Sequence, residues 1–248
     1  MTHRLETALD AALIVLRNGG STAATARSFA NLLSGPETEG IATVWRLDFV
    51  AATWETREGR FTALRSVGPI GVNLVRAAEM VALSEQVARG QVPAEALDAE
   101  LNRIRSLPSP YSGRVLALAA ACACAAYSQL PGGDWGSLAI AFVAGGAGQS
   151  LKLHLEARRV GSTAVTFTCG ALSAAIAALG LRQGLSGVPS ATLLASVMYL
   201  VPGMPLINGF TDVVSTRYLL TGLERIANAV FVFVVVAIAA ALAYAVIG

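Results

Sequence analysis

The chain has 248 residues, of which 54% are hydrophobic and only 14% are charged. Soluble globular proteins carry about 25% charged residues, so this composition places a membrane protein first among the possible classes. The formal net charge of +2 offers no basic surface for nucleic acid, and no nucleic-acid partner is expected.

Charged side chains are concentrated in the N-terminal half of the chain. Residues 1–112 hold 11 of the 18 lysines and arginines and 12 of the 16 acidic residues. We therefore predict a small cytoplasmic α+β domain over residues 1–110 and an α-helical transmembrane domain over residues 113–248. The first 20 residues carry too many charges for the apolar region of a signal peptide, which favours a cytoplasmic N-terminal domain.

Two helices, a strand meander and two further helices are predicted in the N-terminal half. Leucines at helical spacing end at Gly19-Gly20, and Ser21 or Thr22 is suited to cap the next helix. Alternating apolar residues predict three strands, and helical periodicity then returns. The predicted ranges are 5–18 and 22–33 for the first helices, 41–49, 49–55 and 61–67 for the strands, and 72–90 and 92–107 for the last helices.

No catalytic signature is found in this half. It contains no glycine-rich phosphate loop, no HExxH and no nucleophile elbow. The three cysteines, Cys122, Cys124 and Cys169, lie in apolar runs of the C-terminal half. They have no metal-ligand spacing, so we expect them to be packing residues. The sequence therefore predicts a docking, gating or regulatory domain rather than an enzyme, with no metal and no cofactor.

Five uncharged runs follow in the C-terminal half, and a membrane span needs roughly 20 apolar residues. We predict five spans, over residues 115–133, 135–151, 160–181, 183–211 and 226–248. Many alanines, glycines and serines in these runs indicate close helix packing, although some could line a polar path. Positive residues set the orientation: six lysines and arginines fall on one side, and Arg182 alone on the other. This predicts a multi-pass protein of the bacterial cytoplasmic membrane, with its N-terminus inside and its C-terminus outside.

The segment LVPGMPLINGFTD at 200–212 is unusual within these runs. Pro202-Gly203 is expected to break the helix, and Pro205 to prevent its immediate recovery. Broken backbone in lipid is tolerated where it lines a cavity, and transporters bind ions and substrates there. Asn208 can donate and accept, and Asp212 is an ionisable group at predicted membrane depth. The alternative is that the prolines end the fourth span and leave both polar residues in a solvated loop or capping a helix.

Three other polar residues have two interpretations each. Gln149, near the cytoplasmic end of the second span, could line a path or make a helix-end contact. Arg217 and Arg225 could attract a substrate carboxylate from the inside, or could serve only as positive-inside topology markers.

Several of these motifs resemble those of the threonine/serine exporter family, and the resemblance covers nearly the whole chain. Its most specific parts are the spacing of Pro202, Gly203, Pro205, Asn208 and Asp212, the later Gly222 and Arg225, the NGGS turn at 18–21, and VNL at 72–74. The resemblance implies export of threonine, serine or a dicarboxylate such as succinate, driven by the membrane potential or a proton gradient.

Our first hypothesis is a transporter subunit. In it Asp212 is a proton- or substrate-coupling group, and the broken backbone at 202–208 with Asn208 forms part of the substrate site. Because full-length family members have about ten spans, the resemblance also implies either a second small membrane subunit or a homo-oligomer. The competing hypothesis is a non-transporting membrane scaffold or regulatory subunit of an exporter. An intramembrane enzyme is disfavoured, because the predicted spans contain no paired catalytic groups.

Overall fold

A computed structural model describes residues 2–33, 40–56 and 59–247. Within these ranges the chain forms two compact units. The N-terminal unit comprises the residues up to Pro110 together with Gly203–Ala227, and the helical unit comprises Tyr111–Pro202 together with the residues from Asn228 onward. That residues 1–110 lie in the cytoplasm and residues 113–248 in the membrane stays a prediction.

The N-terminal unit contains the strand meander and the helices expected around it. Its elements are α1 (Thr2–Arg17), α2 (Thr22–Leu33), β1 (Ile41–Trp45), β2 (Phe49–Thr56), β3 (Gly59–Ser66), α3 (Leu74–Ala88), α4 (Ala94–Ser106), α9 (Gly203–Val214) and the first part of α10 (Leu219–Ile247). The sheet has the order β1-β2-β3 and both pairs are antiparallel, with Thr43 opposite Ala52 and Ala52 opposite Ala63.

The core of this unit lies around α1. Leu5, Leu9, Leu13 and Leu16, the leucines that predicted this helix, are all almost completely buried. One face of the sheet supplies further apolar side chains to the same core, among them Trp54. Burial of a leucine side chain contributes about 1.5–3 kcal/mol, so α1 is a main source of stability for this unit.

The helical unit contains a helix over each of the five predicted apolar runs, in part or in whole. Its elements are α5 (Gly113–Gln129), α6 (Trp135–Ala157), α7 (Ser162–Arg182), α8 (Pro189–Ser196), a 3₁₀ turn at Met198–Leu200, and the remainder of α10. Among the described residues, α7 and α10 are long and apolar enough to cross a membrane, and α8 with α9 would make a third crossing if the pair is one span. The chain is thus a mostly helical membrane protein with a small sheet, and the predicted five spans stay a prediction.

Small residues allow close approach within the helical unit, as the sequence indicated. A Cβ at Gly145 would lie 2.7 Å from Cys124 Sγ, and one at Gly180 would lie 2.6 Å from Ile140. Real Cβ atoms do not approach other atoms so closely, so glycine is needed at both positions. Close packing therefore accounts for these two glycines.

Asp134 fixes the start of α6. Its Oδ1 accepts hydrogen bonds from the Ser137 backbone N–H at 2.7 Å and from the Ser186 hydroxyl at 2.8 Å. Its Oδ2 accepts from the Gly187 backbone N–H at 2.8 Å. These donors favour the charged carboxylate and hold the pKa of Asp134 well below its usual value. The loop before α8 is thereby attached to the first turn of α6.

Candidate functional site

The segment after the helix break forms a helix immediately. Gly203 begins α9, and Pro205 lies in its first turn, where the missing N–H would have no partner in the helix. The expectation that Pro205 prevents recovery of the helix is therefore wrong. Asn208 and Asp212 lie four residues apart on one face of α9, with 7% and 0% of their surfaces exposed. The alternative of a solvated loop or a cap is also excluded by these positions.

Asp212 accepts one side-chain hydrogen bond and forms one ion pair within the N-terminal unit. Thr22 Oγ1 donates to Asp212 Oδ2 at 2.7 Å, a length typical of a hydroxyl bound to a charged carboxylate. Arg225 Nε lies 3.2 Å from the same oxygen, and the Arg225 side chain is only 4% exposed. Arg225 Nη2 also donates to the Gly20 carbonyl and to Thr22 Oγ1, both at 3.4 Å. Three separate stretches of the chain thus meet at one buried ion pair.

The turn between α1 and α2 supplies two of these partners. Gly19 has φ +92°, in the left-handed region that favours glycine, and this reverses the chain after α1. Ser21 Oγ then accepts from the Ala24 N–H and caps α2, which fixes Thr22 in the first turn. Asn208 Nδ2 donates to the Gly19 carbonyl at 2.9 Å. Both predicted polar residues of α9 therefore contact the same turn.

Two glycines allow α9 and α10 to approach closely enough for Arg225 to reach Asp212. A Cβ at Gly209 would lie 3.1 Å from the Gly222 carbonyl oxygen, and a Cβ at Gly222 would lie 2.8 Å from the Gly209 oxygen. The backbones of the two helices are thus nearly in contact. Larger residues at either position would separate the helices and lengthen the Asp212–Arg225 distance.

A second set of contacts joins α10 to the end of β1. Thr221 Oγ1 donates to the Trp45 carbonyl at 2.5 Å. Arg46 Nη2 lies 2.8 Å from Glu224 Oε1, with the two side chains 34% and 27% exposed. Because this pair is partly open to solvent, it contributes less than a buried pair, about 1 kcal/mol or below. Thr221 lies four residues before Arg225 on the same face of α10, so its bond to Trp45 helps to hold the face that carries Arg225.

Similarity to known proteins covers the same motifs. The model of the family described as "Putative threonine/serine exporter" matches residues 6–247. The chain belongs to this family. It is also 27% identical over 233 residues to a "Probable threonine/serine exporter" of Mycobacterium tuberculosis (strain ATCC 25618 / H37Rv), an alignment covering 92% of this chain and 43% of the relative. The chain therefore spans less than half the length of that curated relative. No solved structure matches the chain.

The structure brings together only some of the predicted site residues. Asn208 and Asp212 share one buried cluster. Pro202 lies in the break before α9, and Gly203 starts that helix. Arg217 is exposed between α9 and α10, with its guanidinium 5.8 Å from the centre of the Tyr218 ring. Gln149 is half-buried in α6, which belongs to the helical unit.

Arg225 has a different environment from the one expected of a topology marker. A marker of the positive-inside rule lies in a loop near the membrane surface, whereas Arg225 is inside α10 and paired with Asp212. Five lysines and arginines, instead of six, then remain as markers on the predicted cytoplasmic side. The predicted cytoplasmic side still carries more positive residues than the opposite side, where Arg182 is alone.

Thr22 was missed as a site residue by sequence reasoning. It was considered only as a cap for α2, and no local pattern indicates that its hydroxyl binds a carboxylate 190 residues later. One signal was available: the NGGS turn at 18–21 and the pattern at 202–212 both carry the resemblance to the exporter family. Two family motifs that are distant in sequence are candidates for contact in space.

Proposed function

We propose that this chain is part of a membrane exporter of small polar metabolites, with threonine or serine as the substrate. A dicarboxylate such as succinate is the alternative substrate. Membership of the exporter family supports export as the general function. The observation that carries the proposal furthest is the buried Asp212–Arg225 pair with its Thr22 donor. Buried ionisable groups are costly, so a pair retained inside a transporter is a functional candidate.

Asp212 is proposed as the group that couples transport to the proton gradient. In the described conformation Asp212 has no exposed surface, so neither substrate nor bulk water reaches it. We propose that this is an occluded state and that transport requires the pair to open. Protonation of Asp212 would remove its attraction to Arg225, and would thereby weaken the contact between α9, α10 and the α1–α2 turn. Proton binding could then be linked to a change in conformation.

Asn208 and the backbone at 202–208 are proposed as the neighbouring part of the substrate site. Asn208 already uses its Nδ2 to bind the Gly19 carbonyl. Opening of the turn would release this donor for the carboxylate or hydroxyl of a substrate. Arg217 is exposed and could attract a substrate carboxylate at the entrance, whereas Gln149 would act separately, on a path through the helical unit.

A five-span topology in the bacterial inner membrane, with the N-terminus inside, is also proposed. Contacts within the helical unit support an alternating arrangement of its helices. A Cβ at Gly113 would lie 3.5 Å from Leu153, so the start of α5 is near the end of α6. Arg182, at the end of α7, donates to the Ile247 carbonyl at 3.3 Å, so these helices end on one side. That side carries the single positive residue of the predicted outer loops.

Partners are part of the proposal, because the chain aligns with 43% of its curated relative. We propose that the complete transport path is formed with a second small membrane subunit or with a second copy of this chain. Lipid surrounds the apolar helices in either case. The experiment below includes both arrangements.

Efflux measurements test the function directly. Cells lacking their own exporters would be preloaded with labelled serine, threonine and succinate, and would express this chain alone or with a candidate small membrane subunit. Asp212→Asn should reduce efflux to background, while Asp98→Asn, which changes an exposed carboxylate of the same unit, should leave it unchanged. Efflux that is unaffected by Asp212→Asn, at equal amounts of folded protein, would contradict the coupling role.

The second candidate is a non-transporting scaffold or regulatory subunit of an exporter. It is favoured by the inaccessibility of Asp212, whose side-chain partners Thr22 and Arg225 both belong to the N-terminal unit. The pair would then hold α9 and the start of α10 to the domain and would take no part in transport. In that case removal of residues 1–110 would change the flux of a separate exporter, and folded Asp212→Asn would not.

A further inference from the structure

A second candidate site lies within the N-terminal unit, and its lining does not include the buried ion pair. It is a cavity of about 590 Å³ formed by the C-terminal half of α1, the loop at 69–71, the start of α3 and the end of α4. Small-molecule sites are commonly about 300–1,000 Å³, so the cavity is large enough for a metabolite. Its apolar wall includes Leu13, Ile14 and Ile70.

Positive charge dominates the polar part of this cavity. Arg17, Arg76 and Arg105 line it, and Asp10 is the only acidic side chain among its lining residues. Asp10 is already paired, because Arg65 Nε donates to its Oδ1 at 3.0 Å. Three guanidinium groups thus line a space that holds one carboxylate, and Arg65, which pairs with that carboxylate, also pairs with Glu6 at 3.3 Å.

Two of the arginines are held in place by backbone carbonyls. Arg17 Nη2 donates to the Ser66 carbonyl at 2.8 Å, and Arg76 Nε donates to the Leu107 carbonyl at 2.7 Å. Guanidinium groups have five N–H donors, so each keeps further donors after these bonds. Arg105 is exposed, and no ion pair is found for it among the described residues. The cavity therefore offers pre-positioned donors and one unpaired cation.

Helix ends account for the positions of all three arginines. Arg17 and Arg105 lie in the last turns of α1 and α4, where a positive charge is favoured. Arg76 lies in the first turn of α3, where the dipole of that helix disfavours a positive charge, but its Nε and Nη2 donate to the carbonyl of Leu107, the C-cap of α4. The three guanidinium groups line one cavity, and a bound anion would use the donors that these contacts leave free.

We propose that this cavity binds a small organic anion that carries phosphate or carboxylate groups. The planar guanidinium fork matches both groups through paired hydrogen bonds. A free metabolite and a lipid headgroup share this chemistry, and exposed Val72 and Leu74 near the rim would suit the acyl part of a lipid. This proposal does not rest on the proposed transport function, since neither Asp212 nor Arg225 lines the cavity.

Thermal unfolding of the purified full chain in neutral detergent tests the proposal. In a Trp135→Phe background the remaining tryptophans, Trp45 and Trp54, are buried in the N-terminal unit and report its unfolding. The probes are pyrophosphate and citrate, with sodium chloride at matched ionic strength as the control. Short-chain phosphatidylglycerol and phosphatidylcholine form the lipid arm. A saturable rise in Tm with an anionic probe, beyond that with chloride, is expected.

Arg105→Gln is the decisive variant, because it removes the unpaired cation without breaking a backbone hydrogen bond found in the structure. Loss of one charge-assisted contact should weaken the apparent Kd roughly tenfold. Arg27→Gln, at an exposed position of α2, should leave the Kd unchanged. A response to phosphatidylglycerol alone, lost in Arg105→Gln, would identify a lipid headgroup as the source of the anion. No saturable response to any anionic probe, or equal affinity in Arg105→Gln, would overturn the proposal.

Discussion

The strength of the buried Asp212–Arg225 pair can be measured with a double-mutant cycle. Asp212→Asn leaves the Arg225 cation buried without its partner, and Arg225→Gln leaves the Asp212 carboxylate likewise. Removal of one partner of a buried pair costs about 3–5 kcal/mol, because the remaining charge is desolvated and uncompensated. The double variant buries no unpaired charge, so its cost should be well below the sum of the two single costs. A coupling energy of about 1–3 kcal/mol is expected.

Urea unfolding followed by Trp45 and Trp54 fluorescence gives these energies. Both tryptophans are buried in the N-terminal unit, whereas Trp135 is 83% exposed and would be replaced by phenylalanine. With a urea dependence of about 2 kcal/mol per molar, a loss of 3 kcal/mol lowers the midpoint by about 1.5 M. Asp98→Asn is the control for loss of an exposed carboxylate. The structural reasoning would be refuted if the unfolding free energies of the single variants lay within about 0.5 kcal/mol of the parent value. It would also be refuted if the loss of unfolding free energy in the double variant equalled the sum of the two single losses.

Three further results are expected. Thr22→Val keeps the side-chain shape but removes the hydrogen bond to Asp212, so unfolding of the N-terminal unit should become easier by about 1.5–3 kcal/mol in the same urea assay. Gly209→Ala should destabilise that unit by about 1–3 kcal/mol, because the new Cβ would lie 2.9 Å from a side-chain atom of α10, whereas Gly203→Ala meets nothing within 4 Å and should be tolerated. Asp134→Asn should lower the Tm of the helical unit at neutral pH. The difference from the parent should begin to shrink as the pH falls below about 4 and should disappear only at the lower pH at which the folded form is protonated. The sign follows from the lowered pKa of Asp134: its stabilisation is present above the pKa of the unfolded chain and is lost on protonation of the folded form. A difference that persists unchanged at low pH would contradict that explanation.

Much of the local structure could be predicted from the sequence because its signals are local. Alternation of apolar residues gave the three strands, and glycine pairs and capping residues gave the helix ends in the N-terminal half. Pro205 was misjudged because proline breaks a helix interior but is compatible with a first turn, and the starting residue of α9 is not visible in the sequence. The burial of Arg225 was not predicted for a similar reason: it depends on the approach of α9 and α10, which a count of loop charges does not describe.

The sequence could predict that Asn208 and Asp212 share a helix face, but it could not predict their partners. The spacing of four between Asn208 and Asp212 places both on one helix face whenever the segment is helical. Their partners on the α1–α2 turn are tertiary contacts over 189 and 190 residues, and no periodicity predicts them. The co-occurrence of two motifs in one family resemblance is the only sequence signal that connects them.

The geometry of the ion pair bears on whether it can open. Among the described residues, neither Asp212 Oδ1 nor Arg225 Nε has a hydrogen-bond partner of good geometry, and the Arg225 contacts to Gly20 and Thr22 are long, at 3.4 Å. A buried pair stabilises a fold strongly only when its remaining donors and acceptors are satisfied. The ion pair therefore contributes little net stabilisation to the contact among α9, α10 and the α1–α2 turn. A group that binds Asp212 or Arg225 would compete with the pair. That is the property required of a coupling element, whereas a purely structural pair gains nothing from unsatisfied atoms. A coupling energy of about 1–3 kcal/mol in the double-mutant cycle is small enough for a substrate or proton to overcome. The efflux of folded Asp212→Asn then distinguishes a coupling pair from a structural one.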